Sequence, residues 1–364
     1  MLVELPLIVH VITGLETGGA ELMLSRLVRG SKDFRHVVIS LTGKGTIGPD
    51  LVSNGIEVIA LGLRPGLAAL TGLPRLMLLI RRLRPALVQT WLYHADMLGT
   101  LAAFPGGCRN VVWALRCSNM DRERYGRLLA LLARLSPLPR AVLANSQTGK
   151  DWHERLGYRP RAWHVIVNGI DTTRFRPDAE ARARWRKQLG IGGHMVLVGM
   201  VARVDPMKNH AAFLAAARQI SQIRPDVAFV VAGRGTEDLP EGQVIRLGEV
   251  KDVAGLYAAM DISLLISRFG EGFPNVVAEA MACGLPVIVS DIGDSARIIA
   301  DTGITVPVDD ENALESAIRF LTDDPQHRLS LGKKARRRVE HEYSLTKAVA
   351  AFEDVWRSIM VEKG

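Results

Sequence analysis

The stretch that decides the fold is LPLIVHVITGLETGGAE, residues 5–21. Leu5 to Ile12 is an apolar run of strand length, and a segment with helical character opens at Ala20. Between them stand Gly14, Gly18 and Gly19. Glycine loses more backbone freedom on folding than any other residue, so such a cluster needs a reason, commonly a backbone that must approach something closely. At a helix start that something is often an anion, because unpaired N–H groups and the positive end of the dipole point at it. The plainer alternative is a strand-to-helix connection with no ligand, and one glycine-rich turn does not decide between the two. Under both readings the stretch is a β-loop-α unit.

Working outward, the unit repeats. HVVISL (36–41), IEVIAL (56–61), ALVQTW (86–91), NVVWALR (110–116) and AVLANS (141–146) are strand-like runs separated by helix-like segments. That alternation predicts parallel βαβ units and a doubly wound sheet. The pattern pauses at VIVNGIDTTRFRPD (165–178), where Asn168-Gly169 marks a turn and Pro177 interrupts regular structure. It resumes with MVLVGMVAR (195–203), VAFVVAG (227–233), QVIRLGEV (243–250), ISLLIS (262–267), PVIVSD (286–291) and ITVPV (304–308). The expected fold is therefore α/β, two Rossmann-like domains facing across a cleft, over residues 1–174 and 175–344. Ligands of open α/β sheets bind beyond the carboxyl ends of the strands, so the expected site lies between the domains. Residues 345–364 are expected to form a C-terminal helix that packs on the body and crosses back to the first domain, with Ala348, Phe352, Val355 and Trp356 at helical spacing.

Composition narrows the class. No uninterrupted apolar run reaches about 18 residues, so a membrane-spanning helix is not expected. The run from Leu5 is broken by Pro6 and His10 and has no basic residue ahead of it, unlike a secretory signal. The expected location is cytoplasmic. Cys108, Cys117 and Cys283 have neither disulfide-framework nor metal-site spacing. The net charge of +8 is unevenly placed: residues 1–174 hold 22 Lys+Arg against 12 Asp+Glu, and residues 175–364 hold 24 against 26. The basic first half suits an anionic partner. Its segments RLMLLIRRLRP (75–85) and RERYGRLLALLARL (122–135) fit two roles, a basic amphipathic helix on a membrane or a helix that covers the sheet and turns its arginines to water. Nucleic acid is not expected as a partner, since aromatics are 5% of the chain and none interleave with these runs.

Two stretches carry chemistry. In EGFPNVVAEAMACGLPVIVSD (271–291), Glu271 and Glu279 are eight positions apart, with Phe273, Pro274 and Asn275 suiting a helix start between them. Amides near Asn275, Val276 and Val277 would then face a phosphate, while the two carboxylates grip sugar hydroxyls. A capping acid and a mid-helix surface acid are the alternative reading of the pair. In ARVDPMKNH (202–210), Arg203 and Lys208 fall in the loop after a strand, where two cations can hold a diphosphate and offset its charge on departure. Asp309-Asp310 are read as loop acids before a helix.

The ordered set of TGLETGGAE, ARVDPMKN, and DISLLIS followed by EGFPNVVAEAMACGLPVIVSD resembles the retaining, nucleotide-sugar-dependent glycosyltransferases of family four, which have the GT-B fold. NSQTGKDW (145–152), VIVNGIDTTRF (165–175) and VIRLGEVKDVAGLYAAMDI (244–262) extend the resemblance over nearly the whole chain. It implies an acceptor-binding domain over 1–174 and a nucleotide-sugar-binding domain over 175–344. It also implies that Glu271 lies by the donor sugar, that Glu279 binds the nucleotide ribose, and that Arg203 and Lys208 hold the diphosphate. Gly18 and Gly19 would approach donor phosphate or acceptor, Leu247 with its neighbours would flank the base, and Phe273, Pro274, Asn275 and Val276 would complete the donor site. Many members carry a histidine where this chain has Arg116, whose fixed charge can hold a phosphate but cannot exchange a proton. His94 and Glu16 are candidates for the acceptor side, a backbone-bonded histidine at a strand end being the other reading of His94.

The implied reaction is transfer with retention from a nucleotide-sugar, UDP-linked by family frequency, to a hydroxyl of a glycan or lipid-linked glycan in bacterial envelope polysaccharide assembly, lipopolysaccharide included. No cofactor or metal is expected. Peripheral contact with an anionic membrane at the inner face of the cytoplasmic membrane would follow from a lipid-linked acceptor. The alternatives are a sugar-nucleotide epimerase of the same fold and a non-catalytic nucleotide-binding protein. A dehydrogenase is disfavoured, since TGLETGGAE lacks the Gly-x-Gly-x-x-Gly spacing.

Overall fold

The computed structural model describes residues 5–64, 71–116 and 122–361. Cys117 lies outside them. The chain divides into two compact units, the first made of residues 1–169 and 345–364 and the second of Ile170–Ser344. The break falls five residues before the expected 174/175 boundary. The reason is local: the Ile170 amide donates to the Tyr343 carbonyl at 2.8 Å and Ile170 bridges Ser344, tying the segment after Gly169 to the second unit.

The first unit is built on a seven-stranded sheet of β1 (Leu7–Ile12), β2 (Arg35–Ser40), β3 (Glu57–Ala60), β4 (Leu87–Trp91), β5 (Val111–Leu115), β6 (Ala141–Ala144) and β7 (Trp163–Val165). Their order is β3-β2-β1-β4-β5-β6-β7, all parallel, with Ile8 paired to both His36 and Leu87. Parallel strands need crossovers, and helices over both faces bury the strands from either side, which is why these runs are continuously apolar rather than alternating. Helices Leu73–Leu83, Tyr93–Ala103 and Arg122–Leu135 pack on Val9, Val11 and Val88 at one face. Helices Gly19–Gly30 and Leu345–Val361 cover the other face, where Phe352 and Trp356 meet Ile8, Ile12 and Trp91.

The second unit has a six-stranded parallel sheet of β8 (Val196–Val201), β9 (Val227–Ala232), β10 (Val244–Arg246), β11 (Ile262–Leu265), β12 (Val287–Ser290) and β13 (Ile304–Val306). The order β10-β9-β8-β11-β12-β13 is doubly wound, with a core around Val198, Met200, Phe213, Phe229 and Ile318. Each sheet thus has one point where the strand order reverses, between β1 and β4 in the first and between β8 and β11 in the second. Loops leaving the two strands at such a point diverge and open a crevice at the carboxyl edge.

Candidate functional site

In the second unit the loops after β8 and β11 meet at that edge. Asp205 accepts the Met207 amide at 2.9 Å and caps the turn Pro206–Lys208, and Asn209, in the left-handed region at φ 57°, turns the chain into helix His210–Ile223. The turn sends Lys208 inward. Its ammonium is buried and donates to Glu271 Oε1, from the loop after β11. The Ser267 hydroxyl donates to the same oxygen at 2.6 Å, and the Ser290 hydroxyl, at the end of β12, holds the Ser267 carbonyl at 2.5 Å. One carboxylate oxygen therefore takes two donors, a charge-assisted arrangement anchored by three strand ends. Arg203 remains exposed and grips Asp205 Oδ2 through Nε at 3.3 Å and Nη2 at 3.0 Å. The Met207 amide, with Arg203 behind it, holds the Asp205 carboxyl below its usual range.

The chain then passes Glu271 and starts helix Asn275–Ala282 with Pro274 as N-cap and no side chain capping it. The Glu271 loop is fixed from behind by Gly293, at φ 63°, where a β-carbon would stand 2.2 Å from the Glu271 carbonyl oxygen. Asp294 donates its amide to the Gly272 carbonyl at 3.1 Å. Of the three amides expected to face outward, that of Val277 already bonds the Pro274 carbonyl at 3.1 Å, because the first turn tightens on itself. Glu279 is buried one turn into the helix. Its charge adds to burial, the larger cause, in raising the Tyr257 hydroxyl and in pushing the Cys283 thiol up to about 12. Phe273 is buried with its ring edge-on to Tyr343, centroids 5.6 Å apart, so its side chain belongs to the core. Leu247 follows β10, its amide bonded to the Val231 carbonyl at 3.0 Å, and the Gly248 carbonyl takes the Gly233 amide at 2.7 Å. Arg203, Lys208, Leu247, Glu271 and Asn275 thus sit on the loops, the turn and the helix start at one edge of one sheet.

In the first unit the loop after β1 holds Glu16, exposed, and Gly18, which is the N-cap of helix Gly19–Gly30. Gly18 is extended, at φ −156°, a conformation any residue adopts. A β-carbon there would meet only the carboxylate of Glu21, 2.3 Å away at the end of a movable side chain, so backbone strain does not explain this glycine. The glycine that the backbone requires is Gly45, at φ 51°, where a β-carbon would fall 2.3 Å from the Leu15 carbonyl and press on the same loop. Across the reversal point, β4 runs into Leu92, at φ 73° and ψ 153°, and then into helix Tyr93–Ala103. A non-glycine residue held there stores strain at the ligand edge. It presents His94, exposed, with its ring 6.3 Å from that of Tyr125.

Similarity to known proteins agrees with this geometry. The profile described as Glycosyltransferase Family 4 matches residues 17–174, and that described as Glycosyl transferases group 1 matches residues 195–324. The chain belongs to the family-four glycosyltransferases. It is 27% identical over 215 residues to the lipopolysaccharide core biosynthesis mannosyltransferase LpsB of Rhizobium meliloti, spanning 54% of this chain and 61% of that protein. It is 27% identical over 219 residues to an Escherichia coli UDP-Gal:alpha-D-GlcNAc-diphosphoundecaprenol alpha-1,3-galactosyltransferase, spanning 56% of each. The chain therefore matches somewhat more than half the length of these two relatives. Anabaena HepE, solved in complex with UDP, has the same GT-B fold, with a TM-score of 0.86 at 22% identity over 96% of this chain and 99% of that one.

Arg116 of this family-four chain is buried in the first unit. Its guanidinium lies 5.0 Å from the ring centroids of Trp91 and Phe352, and Nη1 donates to the Ile166 carbonyl at 3.1 Å and to Asn168 Oδ1 at 3.2 Å. Nε and Nη2 are buried without a hydrogen-bond partner among the described residues, and burial lowers its pKa to about 9. The side chain clamps the β5 end to the segment before Gly169 and to the returning helix. Residues that sequence reasoning missed include Ser267, Ser290 and Leu92. Ser267 ends the apolar run ISLLIS at the ligand edge, which is a usable signal; Leu92 offers none. Arg268 and Asn209 both bond Asp309 Oδ1, at 2.7 and 3.1 Å, while Asp310 caps helix Glu311–Asp323, so these acids act as fasteners of the loop edge.

Proposed function

We propose that the chain is a retaining glycosyltransferase that moves a sugar from a nucleotide-sugar, a UDP-sugar, to a hydroxyl of a glycan or lipid-linked glycan in envelope polysaccharide assembly. The observation that carries this reading is the meeting of Lys208 with Glu271 at the reversal point of the second sheet, directly before the uncapped helix that bears Glu279. Lys208 has three donors and spends one on Glu271, so the others can hold a diphosphate oxygen. Arg203 swings from Asp205 to the same diphosphate, and the helix N-terminus adds its dipole. The bond from the anomeric carbon to the diphosphate oxygen breaks as the acceptor oxygen bonds to that carbon on the same face. The acceptor proton passes to an oxygen of the leaving diphosphate, which departs protonated. Glu271, its Oε1 fixed by Lys208 and Ser267, orients the sugar, Glu279 takes the ribose hydroxyls, and the backbone around Leu247 flanks the base. Catalysis of this kind is positioning and electrostatics, with side-chain cations supplying the positive charge.

UDP is favoured by HepE, solved with UDP, and by the UDP-Gal-dependent relative. The deciding experiment compares melting temperatures with UDP, GDP and ADP for the wild type and Glu279→Ala. A ligand at about 100 times its dissociation constant adds roughly 2.7 kcal/mol to the folded state, a readable shift. A UDP-selective shift that the variant loses is the expected result. No shift with any nucleotide would overturn the reading in favour of a protein without donor binding, and conversion of a nucleotide sugar with no acceptor present would favour an epimerase.

A further inference from the structure

The loop after β13 carries two adjacent acids with different tasks. Asp310 caps helix Glu311–Asp323, its Oδ1 accepting the Ala313 amide at 2.9 Å. Asp309 stands in the left-handed region, at φ 57°, where a glycine would sit at less cost. Its Oδ1 takes donors from two other loops: Asn209 Nδ2 at 3.1 Å, from the loop after β8, and Arg268 Nε at 2.7 Å, from the loop after β11. These are the loops that bring Lys208 and Glu271 together. In the sheet order β8-β11-β12-β13, Asp309 reaches past β12 to both of them.

Each contact acts one step from the charged pair. Asn209 directly follows Lys208, and its own left-handed backbone turns that lysine inward. Its Oδ1 is buried without a hydrogen-bond partner among the described residues, so the Nδ2 bond to Asp309 is what orients the amide. Arg268 directly follows Ser267, whose hydroxyl bonds Glu271 Oε1, and the Arg268 amide donates to the Met207 carbonyl at 2.8 Å. A cation site is the other use for neighbouring acids, but Asp309 already faces a guanidinium, and no cluster of His, Cys, Asp or Glu among the described residues suits a metal. Stability alone is a poor account too. The Arg268 and Asp309 side chains are each about half exposed, and such pairs contribute little. Yet the chain holds two non-glycine residues in left-handed backbone to make these contacts, a cost found where function is served. From this shared oxygen we infer that Asp309 is a positioning residue for the transfer: it fixes Asn209 and Arg268 so that Lys208 and Glu271 stand preformed for a nucleoside diphosphate-sugar. The inference rests on the transferase reading and adds to it a residue that touches no substrate.

The test is calorimetric titration with whichever of UDP, GDP and ADP binds the wild type, on Asp309→Gly and Asp309→Asn. Glycine suits the backbone at 309 but removes the acceptor; asparagine suits the backbone and keeps an acceptor oxygen. A loop that is correctly placed for only part of the time weakens binding by that fraction, and one lost hydrogen bond sets its size. Asp309→Gly should therefore raise Kd about three- to tenfold without lowering the melting temperature of the unliganded protein, and Asp309→Asn should restore Kd to within about twofold of the wild type. Asn209→Gly should weaken binding by a similar factor. The double variant Asn209→Gly, Asp309→Gly should bind no more weakly than the worse single one, because both remove the same bond. An Asp309→Gly protein that binds as the wild type does would overturn the inference, and so would a lowered melting temperature with Kd unchanged, the mark of a stabilising contact alone. Additive effects in the double variant would overturn it as well, since Asp309 would then act apart from Asn209. A wild type that binds none of the three nucleotides fails at the transferase reading itself and takes the inference with it, an outcome distinct from the others because no variant is needed to see it.

Discussion

Arg203 and Lys208 are five positions apart, yet the fold treats them differently. Lys208 is buried on Glu271, and removing either leaves an uncompensated charge in a desolvated place, so their substitution mixes stability with chemistry. Arg203 is exposed and held only by Asp205, which makes it the cleaner probe. Arg203→Ala should lower turnover by about a hundredfold or more while changing donor affinity by much less, because its charge matters most as the diphosphate leaves. Steady-state kinetics beside nucleotide titration would measure both, and an unchanged turnover number would remove Arg203 from the chemistry. The neighbouring residues explain how much of this was legible. A βα loop with two cations can be read from sequence; which cation turns inward depends on the left-handed turn at Asn209, and a string of letters does not state it. The role of Arg116 was misleading for the same reason, since its burial depends on Trp91 and on Phe352, more than two hundred residues away.

At the scale of elements, the strands were the most legible part of the chain. Among the described residues, twelve of the thirteen strands stand where apolar runs of strand length predict them, because strands buried on both faces leave continuous Val, Ile and Leu. The exception, β7 (Trp163–Val165), is a three-residue edge strand without periodicity that ends where the segment read as a pause, 165–178, begins. The loops were legible as ligand edges but not as conformations. Gly293, twenty-two positions beyond Glu271, sets the Glu271 loop because its backbone lies against that carbonyl with φ positive. Gly293→Ala should therefore cost about 1–3 kcal/mol through strain and displace Glu271, reducing transfer although no contact to substrate is removed. Urea unfolding with a parallel activity measurement tests both parts; an Ala variant as active and as stable as the wild type would show that the loop has room to adjust.

Over the whole molecule, buried histidines give the first unit a pH dependence. His10 Nε2 meets His36 Nδ1 at 3.0 Å, and the Trp91 indole N–H donates to His10 Nδ1 at 3.2 Å, so the His10 proton sits on Nε2 and His36 accepts it. His153 donates from Nδ1 to the Gly149 carbonyl at 2.7 Å and bonds the Tyr93 hydroxyl through Nε2 at 2.9 Å. Burial lowers His10 well below its usual value and brings His36 and His153 to about 4. These rings are neutral when folded, while the unfolded chain protonates them near pH 6.5. Their contribution is thus complete above that pH and is lost as pH falls towards 4, by roughly 2–3 kcal/mol each for His36 and His153. Asp96, fully buried with its carboxyl raised well above the usual range, works with the opposite sign. Unfolding free energies at pH 6.5 and pH 4.5 should show a net loss that His153→Gln makes smaller; an equal loss in the variant would refute the assignment.

The first unit also has an order of manufacture. A ribosome completes residues 5–169 and must then make the entire second unit before the helix Leu345–Val361, which supplies Phe352 and Trp356 to the first core, exists. At about 5–20 residues per second that interval is roughly 10–40 s. For that time the face formed by Ile8, Ile12 and Trp91 is without its lid, and the His10–His36 pair that Trp356 covers is open to water. For that interval the nascent first unit exposes an apolar face that its own chain has yet to cover, while the second unit is made of one continuous stretch, Ile170–Ser344.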